Sequence, residues 1–145
     1  MKTSSIGEKL LGLEPRAVPR VLIADQSAAV IERLAASIDD VAHVIGRATN
    51  AHDAMNGIRN GNPHLTVFDV AIANGIDLLR QIKLHRPPVI IVVLTHSVEE
   101  TTRRYCLRLG AEYFLDKIHE FDKVRQIVIA VGSGWGRGGL DPVPH

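Results

Sequence analysis

The sequence predicts an α/β fold in which a doubly wound, five-stranded parallel sheet carries helices on both faces. Three observations support this prediction. Strand-like and helix-like segments alternate between residues 20 and 131, two of the strand-like segments are apolar throughout, and polar residues follow several strands. Five strands that alternate with five helices are expected to adopt the flavodoxin-like order 2-1-3-4-5.

Five short segments have the composition of strands, at residues 21–24, 41–48, 65–68, 89–94 and 112–115. The first reads VLIA and the fourth reads VIIVVL, without a polar residue in either. Parallel strands that are covered on both faces show this continuous apolarity, whereas a half-exposed strand alternates apolar and polar residues. The sheet is therefore expected to lie as a central layer between helices.

Apolar residues recur at helical spacing in the segments between the strands. The first of these segments has Val30, Leu34 and Ile38 at intervals of four residues. The last two predicted helices cover residues of about 98–109 and 121–131. The sequences NGNP and RPP end the helices before the third and fourth strands, because Pro cannot continue a helix.

Both ends of the chain differ in composition from the part between them. Residues 1–19 are predicted to form an N-terminal extension, in which the sequence SIGE at residues 5–8 has the spacing of a capping box for a short helix. Residues 132–145 are rich in Gly and Pro, as expected of a flexible tail. The folded domain is therefore predicted to cover residues 20–131.

The composition is that of an ordinary globular protein. With 145 residues, of which 46% are hydrophobic, the chain is long enough for one domain with a substantial core. A formal net charge of +1 gives no electrostatic basis for binding nucleic acid or a membrane surface. No apolar run approaches the roughly 20 residues of a membrane span, and a single cysteine, Cys106, cannot form an internal disulfide. We therefore expect a cytoplasmic protein without nucleic-acid or membrane partners.

Polar side chains lie where four of the predicted strands end. They are Asp25 with Gln26, Asp69, Thr95 and Lys117. Because the carboxyl ends of parallel strands meet at one edge of a sheet, we expect two carboxylates, a hydroxyl and an ammonium group to lie together there. Each residue alone has a simpler interpretation, with Asp25 or Thr95 as a helix cap and Lys117 as a solvated lysine. Their joint placement favours a functional site.

These four groups suit the transfer of a phosphoryl group to a carboxylate. An Asp side chain can act as the nucleophile and carry an aspartyl phosphate. Two nearby carboxylates attract Mg²⁺, a cation that prefers oxygen ligands. A lysine and a hydroxyl can then neutralise and orient the transferred group.

The order and spacing of several short motifs resemble those of the receiver domain of bacterial two-component response regulators. The resemblance covers about residues 21–131 and rests on VLIADQS, LTVFDV, GIDLLRQIK, VIIVVLTHS and LGAEYFLDK, which occur in the order and at the spacing typical of the family. Any one of these motifs alone is weak, but the set is specific. The resemblance implies the same doubly wound fold as the strand pattern does.

By this resemblance, Asp69 is the phosphoacceptor, and Mg²⁺ is bound by Asp25, Asp69 and the backbone carbonyl of Ala71. The family usually has a second acid where Gln26 stands. Gln26 keeps an oxygen that can coordinate the cation weakly, but it lacks the charge of an acid. At an effective dielectric constant of about 20, the attraction between two unit charges about 4 Å apart is worth up to about 4 kcal/mol. We therefore expect Mg²⁺ to bind more weakly than is usual for the family.

Thr95 and Lys117 are implied to contact the phosphoryl group, and Thr95 with Phe114 is implied to form a conformational switch. The surface that this switch would change carries charged and aromatic side chains at Arg103, Arg104 and Tyr105. Such a mixture suits a protein contact. The alternative is that Phe114 is a fixed core aromatic beside an exposed Tyr113.

Two loops depart from the family pattern. Gly75 follows Asp69 by six residues, whereas the family usually places its Gly eight residues after the acceptor. This shortening leaves the direction of the Ala71 carbonyl open. Ile118 follows Lys117 where the family usually has Pro, so we expect the lysine to be less firmly oriented.

The resemblance implies a phosphorelay protein. It would receive a phosphoryl group from a histidine kinase or a histidine phosphotransfer protein, and would signal by binding an unknown downstream protein. It would promote its own phosphotransfer without being an enzyme for another substrate. Because fourteen residues follow residue 131, we expect a stand-alone receiver without a DNA-binding output domain.

Three other functions are weighed against this one. A degenerate receiver would keep the fold and bind a partner without phosphorylation, as the departures at Gln26 and in the loops allow. A flavin- or nucleotide-binding protein is less favoured, because the loop after the first strand offers only Ser27 for a phosphate. A metalloprotein is less favoured still, because the seven histidines show no paired ligand spacing.

Overall fold

The computed structural model describes residues 18–134 as one parallel sheet flanked by helices. The strands are β1 (Arg20–Ala24), β2 (His43–Ala48), β3 (Leu65–Phe68), β4 (Ile90–Thr95) and β5 (Tyr113–Asp116). The helices are α1 (Ala28–Ile38), α2 (Ala51–Gly61), α3 (Gly75–His85), α4 (Glu100–Leu109) and α5 (Lys123–Gly132). The capping box predicted at residues 5–8 and the short helix predicted with it lie outside the described residues. Within residues 18–134, every helix is too short or too polar to cross a membrane.

The strand order is β2-β1-β3-β4-β5 and all neighbouring strands are parallel, which confirms the predicted fold class. The register keeps the carboxyl ends of the strands level. Ala24 lies opposite Phe68, and Thr95 lies opposite Asp116. The residues that end or follow these strands therefore emerge at one edge of the sheet, although they are far apart in the sequence.

Successive side chains of a strand enter two different cores, one on each face of the sheet. Val21 and Ile23 pack with residues of α1 and α5, whereas Leu22 and Ala24 pack with residues of α2, α3 and α4. All four side chains are almost completely buried. This arrangement explains the apolar strands, because a strand covered on both faces has no position at which a polar side chain reaches water.

Three strands, β2, β4 and β5, begin one or two residues later than the sequence predicts. Before β2, the Val41 N–H donates to the carbonyl oxygen of Ile38 in a turn, at 3.0 Å. Before β4, the Val89 N–H donates to the carbonyl oxygen of Arg86, also at 3.0 Å. Val41 and Val89 have the composition of strand residues, but their N–H groups are used by turns.

The last two helices also begin later than predicted. α4 begins at Glu100 and α5 at Lys123, and α5 includes Gly132, the first residue of the predicted tail. Gly132 is buried in this helix. The remaining limits of the three predicted regions stay predictions, because most of both extensions lies outside residues 18–134.

Candidate functional site

The predicted acids and the predicted lysine meet at the carboxyl edge of the sheet. The Lys117 Nζ donates to Asp25 Oδ2 at 2.6 Å and to Asp69 Oδ2 at 2.7 Å. All three residues are buried, with exposures of 7% for Lys117, 5% for Asp25 and 8% for Asp69. The simpler interpretation of Lys117 as a solvated lysine is therefore wrong.

The second oxygen of each carboxylate is held by the backbone of the loop that follows it. Asp25 Oδ1 accepts from the N–H of Ser27 at 2.9 Å, and Asp69 Oδ1 accepts from the N–H of Ala71 at 2.8 Å. The cap of α1 is Ser27, whose hydroxyl accepts from the N–H of Val30 at 3.2 Å. Asp25 therefore orders the turn before α1 and is not the cap of that helix.

Thr95 ends β4 and is completely buried. Its Oγ1 accepts from the N–H of Ser97 at 3.2 Å, and its carbonyl oxygen accepts from the N–H of Lys117 at 3.0 Å. The helix that follows begins at Glu100 with Glu99 at its cap position, so Thr95 does not cap it. The structure thus brings all four groups predicted from the strand ends into one cluster.

The charges in this cluster stabilise one another. Burial alone would raise the pKa of Asp69, but hydrogen bonds from Lys117, the Ala71 N–H and Thr95 outweigh it and hold the pKa of this carboxyl below its usual value. Burial would lower the pKa of Lys117, yet the hydrogen bonds to Asp25 and Asp69 outweigh it and raise the pKa. Two carboxylates against one ammonium leave a single uncompensated negative charge.

Gln26 makes a contact that the sequence does not predict. Its Nε2 donates to the backbone carbonyl oxygen of Ala71 at 3.2 Å. This hydrogen bond joins the loop after β1 to the loop after β3, and the Gln26 side chain is otherwise exposed. The carbonyl that the resemblance assigns to Mg²⁺ is therefore directed at the amide of Gln26.

The shortened loop between Asp69 and α3 is tightly built. The Ile72 N–H donates to the Asp69 carbonyl oxygen at 3.2 Å, and the Gly75 N–H donates to the Ile72 carbonyl oxygen at 2.8 Å. Asn74 takes up the left-handed conformation, with φ of 62°. A Cβ atom at Gly75 would overlap the backbone carbonyl group of Val70, so only glycine fits this close approach.

Although Ile118 stands where the family usually has Pro, hydrogen bonds hold the backbone at Lys117 and Ile118. That the lysine is less firmly oriented than it would be with Pro stays a prediction. The Lys117 N–H donates to the Thr95 carbonyl oxygen at 3.0 Å. The Ile118 N–H donates to Asp116 Oδ1 at 2.8 Å. A Pro at position 118 would lack this N–H, so the loop is ordered here by a different hydrogen bond.

Phe114 is buried at 5% exposure in the core shared with α4, and Tyr113 is buried at 1% on the other face of the sheet. The alternative is therefore wrong in exposing Tyr113, but Phe114 is buried in the core as that alternative expected. The Phe114 carbonyl oxygen accepts from Arg103 Nη1 at 3.3 Å, which connects α4 to β5 directly. No pattern in the sequence predicts this connection.

The oxygens at this edge are of the kind that Mg²⁺ prefers, since they come from two carboxylates and a backbone carbonyl. Each carboxylate oxygen has more than one lone pair, so the hydrogen bonds from Lys117 and the backbone leave coordinating capacity on Asp25 and Asp69. Residues 18–134 contain no group of three or more His, Cys, Asp or Glu side chains that could hold a metal ion. A cation at this edge would take its oxygens from Asp25, Asp69 and the backbone carbonyl of Ala71.

The fold and this cluster define a class of protein. The family model of the response regulator receiver domain matches residues 21–129, and the chain therefore belongs to this family. Receiver domains act in the phosphorelay signalling of two-component systems. They generally bind Mg²⁺ at the site of phosphorylation, and they interact with histidine kinases, phosphotransfer proteins or other proteins.

Individual relatives agree with this assignment. The chain is 38% identical over 98 residues to a protein-glutamate methylesterase of Rhizobium johnstonii, and this alignment covers 63% of this chain and 28% of that protein. It is 24% identical over 119 residues to the protein PilH of Pseudomonas aeruginosa, and this alignment covers 79% of this chain and 98% of PilH. The structure of the response regulator domain of CheB from Thermotoga maritima matches with a TM-score of 0.71 and 26% identity, and covers 87% of this chain and 100% of that domain.

The chain matches only part of the longer curated relatives. The chain spans 28% of the length of the first curated relatives that it matches. The similarity to the methylesterase comes through its receiver part, and the receiver domain is not itself a catalytic family. What the chain shares with these relatives is therefore the receiver domain.

Proposed function

We propose that Asp69 accepts a phosphoryl group from a phosphohistidine on a histidine kinase or a histidine phosphotransfer protein. The convergence of Asp25 and Asp69 on the Nζ of Lys117 supports this proposal most strongly. Burying two carboxylates and a lysine at a sheet edge is costly unless their charges are paired. A cluster with one negative charge in excess suits a site that takes up further positive charge during a reaction.

The chemistry follows from the contacts of Asp69. A carboxylate oxygen of Asp69 attacks phosphorus, the bond from phosphorus to the donor imidazole nitrogen breaks, and the electron pair of that bond returns to the imidazole. The lowered pKa keeps Asp69 ionised at neutral pH, so the nucleophile needs no base. Lys117 already contacts this carboxyl, and the Thr95 hydroxyl helps to lower its pKa, so both groups would stabilise the charge of the transferred group.

Mg²⁺, when bound, would supply further positive charge to the phosphoryl oxygens. Asp25, Asp69 and the Ala71 carbonyl are the residues that would hold it. We propose that binding is weak, because the neutral Gln26 stands where a second acid would contribute charge.

The proposed output is a change in the surface formed by α4, β5 and α5. If the Thr95 hydroxyl moved toward a phosphoryl group on Asp69, the packing around the buried Phe114 would change. The hydrogen bond from Arg103 to the Phe114 carbonyl would carry that change to α4. The exposed Arg104 and Tyr105 of α4 then lie where a downstream protein would read the difference.

The test is intact mass spectrometry after incubation with a small phosphodonor and Mg²⁺. The wild-type protein is expected to gain the mass of one phosphoryl group, and Asp69→Ala is expected to gain none. Asp77→Ala, which removes an exposed acid from α3, is the matched control and should be modified like the wild type. A folded wild-type protein that stays unmodified at high Mg²⁺ would instead support a degenerate receiver.

A further inference from the structure

The hydrogen bond between Gln26 and Ala71 places a donor on an oxygen that the proposed function requires for a cation. The Gln26 Nε2 lies 3.2 Å from the Ala71 carbonyl oxygen. An amide N–H carries a partial positive charge, as does every hydrogen-bond donor. The opposite assignment of the amide would set two oxygens against each other, so the donor assignment is the one that the contact permits.

We propose that Gln26 competes with the divalent cation for the Ala71 carbonyl and is not a ligand of that cation. This inference rests on the proposed function, because it assumes that a cation binds beside Asp69. In this role Gln26 is a positioning residue, which holds the two loops together and sets the cation concentration at which the site fills.

The physical basis is the geometry that Mg²⁺ demands. It binds oxygen at about 2.0–2.1 Å in a nearly octahedral arrangement. A donor hydrogen on the same carbonyl oxygen places two positively polarised groups side by side. Rotating the Gln26 amide to offer its oxygen to the cation would also break the bond to Ala71. Whether the cation displaces the Gln26 donor or the amide rotates, the hydrogen bond between the two loops is lost.

Competition and ligation predict opposite effects when the amide is removed. Gln26→Met keeps the length of the side chain and removes both amide atoms. If Gln26 is a ligand, this variant binds Mg²⁺ more weakly. If Gln26 is a competitor, the variant binds Mg²⁺ more tightly by about two- to tenfold, the effect expected for one hydrogen bond.

The experiment is a calorimetric titration of the folded protein with Mg²⁺, in the absence of a phosphodonor. Gln26→Asp should bind more tightly than Gln26→Met, because it removes the donor and adds a charge. Gln126→Met makes the same chemical change at an exposed position of α5 and should leave the affinity unchanged. In parallel, the side-chain amide protons of Gln26 should change their chemical shifts as Mg²⁺ fills the site.

An affinity of Gln26→Met that is equal to or lower than that of the wild type would overturn the inference, and so would the absence of Mg²⁺ binding in every variant. Failure of the proposed function is recognised separately. In that case the wild type would remain unphosphorylated with a donor, whatever the order of the Mg²⁺ affinities.

Discussion

Two lysines of this protein bind acids at opposite edges of the same sheet. At the carboxyl edge, Lys117 lies between Asp25 and Asp69. At the amino edge, Lys83 of α3 contacts Glu112 at 2.7 Å, just before β5. Both lysines join elements that are distant in sequence, but the two clusters differ in how their charges balance.

The cluster at the amino edge is complete in itself. Besides Glu112, Lys83 Nζ donates to the carbonyl oxygens of Val89 at 2.7 Å and Pro87 at 3.2 Å. The other oxygen of Glu112 accepts from the N–H of Ile91 at 2.8 Å. One ammonium and one carboxylate cancel, and backbone carbonyls accept from the other two donors of the ammonium. This cluster connects α3, β4 and β5 and has no charge to offer a ligand.

The charges of the cluster at the carboxyl edge do not cancel. They sum to one negative unit, because the single ammonium of Lys117 faces both Asp25 and Asp69. The comparison shows that a lysine paired with an acid at a sheet edge is not by itself a sign of function. An uncompensated charge at the strand ends distinguishes the candidate site from the structural cluster.

The largest expected effect comes from removing each lysine in turn. Lys117→Met leaves Asp25 and Asp69 facing each other without a cation, and we expect it to lower the free energy of unfolding at pH 7 by about 2–4 kcal/mol. It should also slow phosphorylation about a hundredfold, the effect of losing one stabilising donor. Lys83→Met, in a more exposed cluster, should cost only about 1–2 kcal/mol. Denaturant unfolding and mass spectrometry measure both quantities.

The stability of Lys117→Met should depend on pH in a way that shows the role of charge in this cluster. Without the ammonium, burial and the neighbouring Asp25 carboxylate should raise the folded-state pKa of Asp69 relative to that of the wild type. A raised carboxyl pKa contributes stability below the unfolded pKa and loses it as the pH rises through the folded pKa. The stability deficit relative to the wild type should therefore be smaller near pH 4 than at pH 7. An equal deficit at both values would contradict the charge-based explanation.

In the wild type the sign is opposite on the acid side. The pKa of Asp69 is lowered, so its contribution to stability is present above the unfolded pKa and is lost as the pH falls through the folded pKa. Asp69→Asn should therefore lose less stability than the wild type on acidification below about pH 4. Urea unfolding of both proteins at a series of pH values tests this prediction. The pair of Lys83 and Glu112 is present in both proteins and should contribute equally to their stabilities.

A smaller effect is expected from the glycine of the acceptor loop. Gly75→Ala forces the loop away from the Val70 carbonyl, and we expect it to cost about 1–3 kcal/mol and to reduce phosphorylation of Asp69. Gly57→Ala is the matched control in α2, because its new Cβ would meet only the flexible end of the Leu22 side chain at 2.7 Å. Equal phosphorylation of Gly75→Ala and wild type would show that the loop does not position the site.

The smallest expected effect lies between the two edges, at Thr66 of β3. Its hydroxyl is completely buried and finds no hydrogen-bond partner within residues 18–134. Thr66→Val removes this group with little change of shape and should raise the free energy of unfolding by about 1 kcal/mol. Phosphorylation should not change. Destabilisation of the variant would show that the hydroxyl is satisfied in solution.

The sequence predicts the sheet and most of the candidate site for identifiable physical reasons. Continuous apolar strands can only lie between two cores, and parallel strands bring Asp25, Asp69 and Lys117 to one edge. The bond from Gln26 to Ala71 and the tie from Lys83 to Glu112 were not predictable, because both depend on how loops meet in three dimensions. Strand limits were displaced where turns use the N–H groups of strand-like residues.

The measurement that tests the central claim most directly is chemical trapping of the phosphorylated residue. Borohydride reduces an aspartyl phosphate to homoserine, which peptide mass spectrometry assigns to a single position. After incubation with phosphodonor and Mg²⁺, we predict homoserine at position 69 and an unmodified Asp25. Homoserine at another acid, or none at all in a folded protein exposed to donor, would contradict the assignment of Asp69 as the phosphoacceptor.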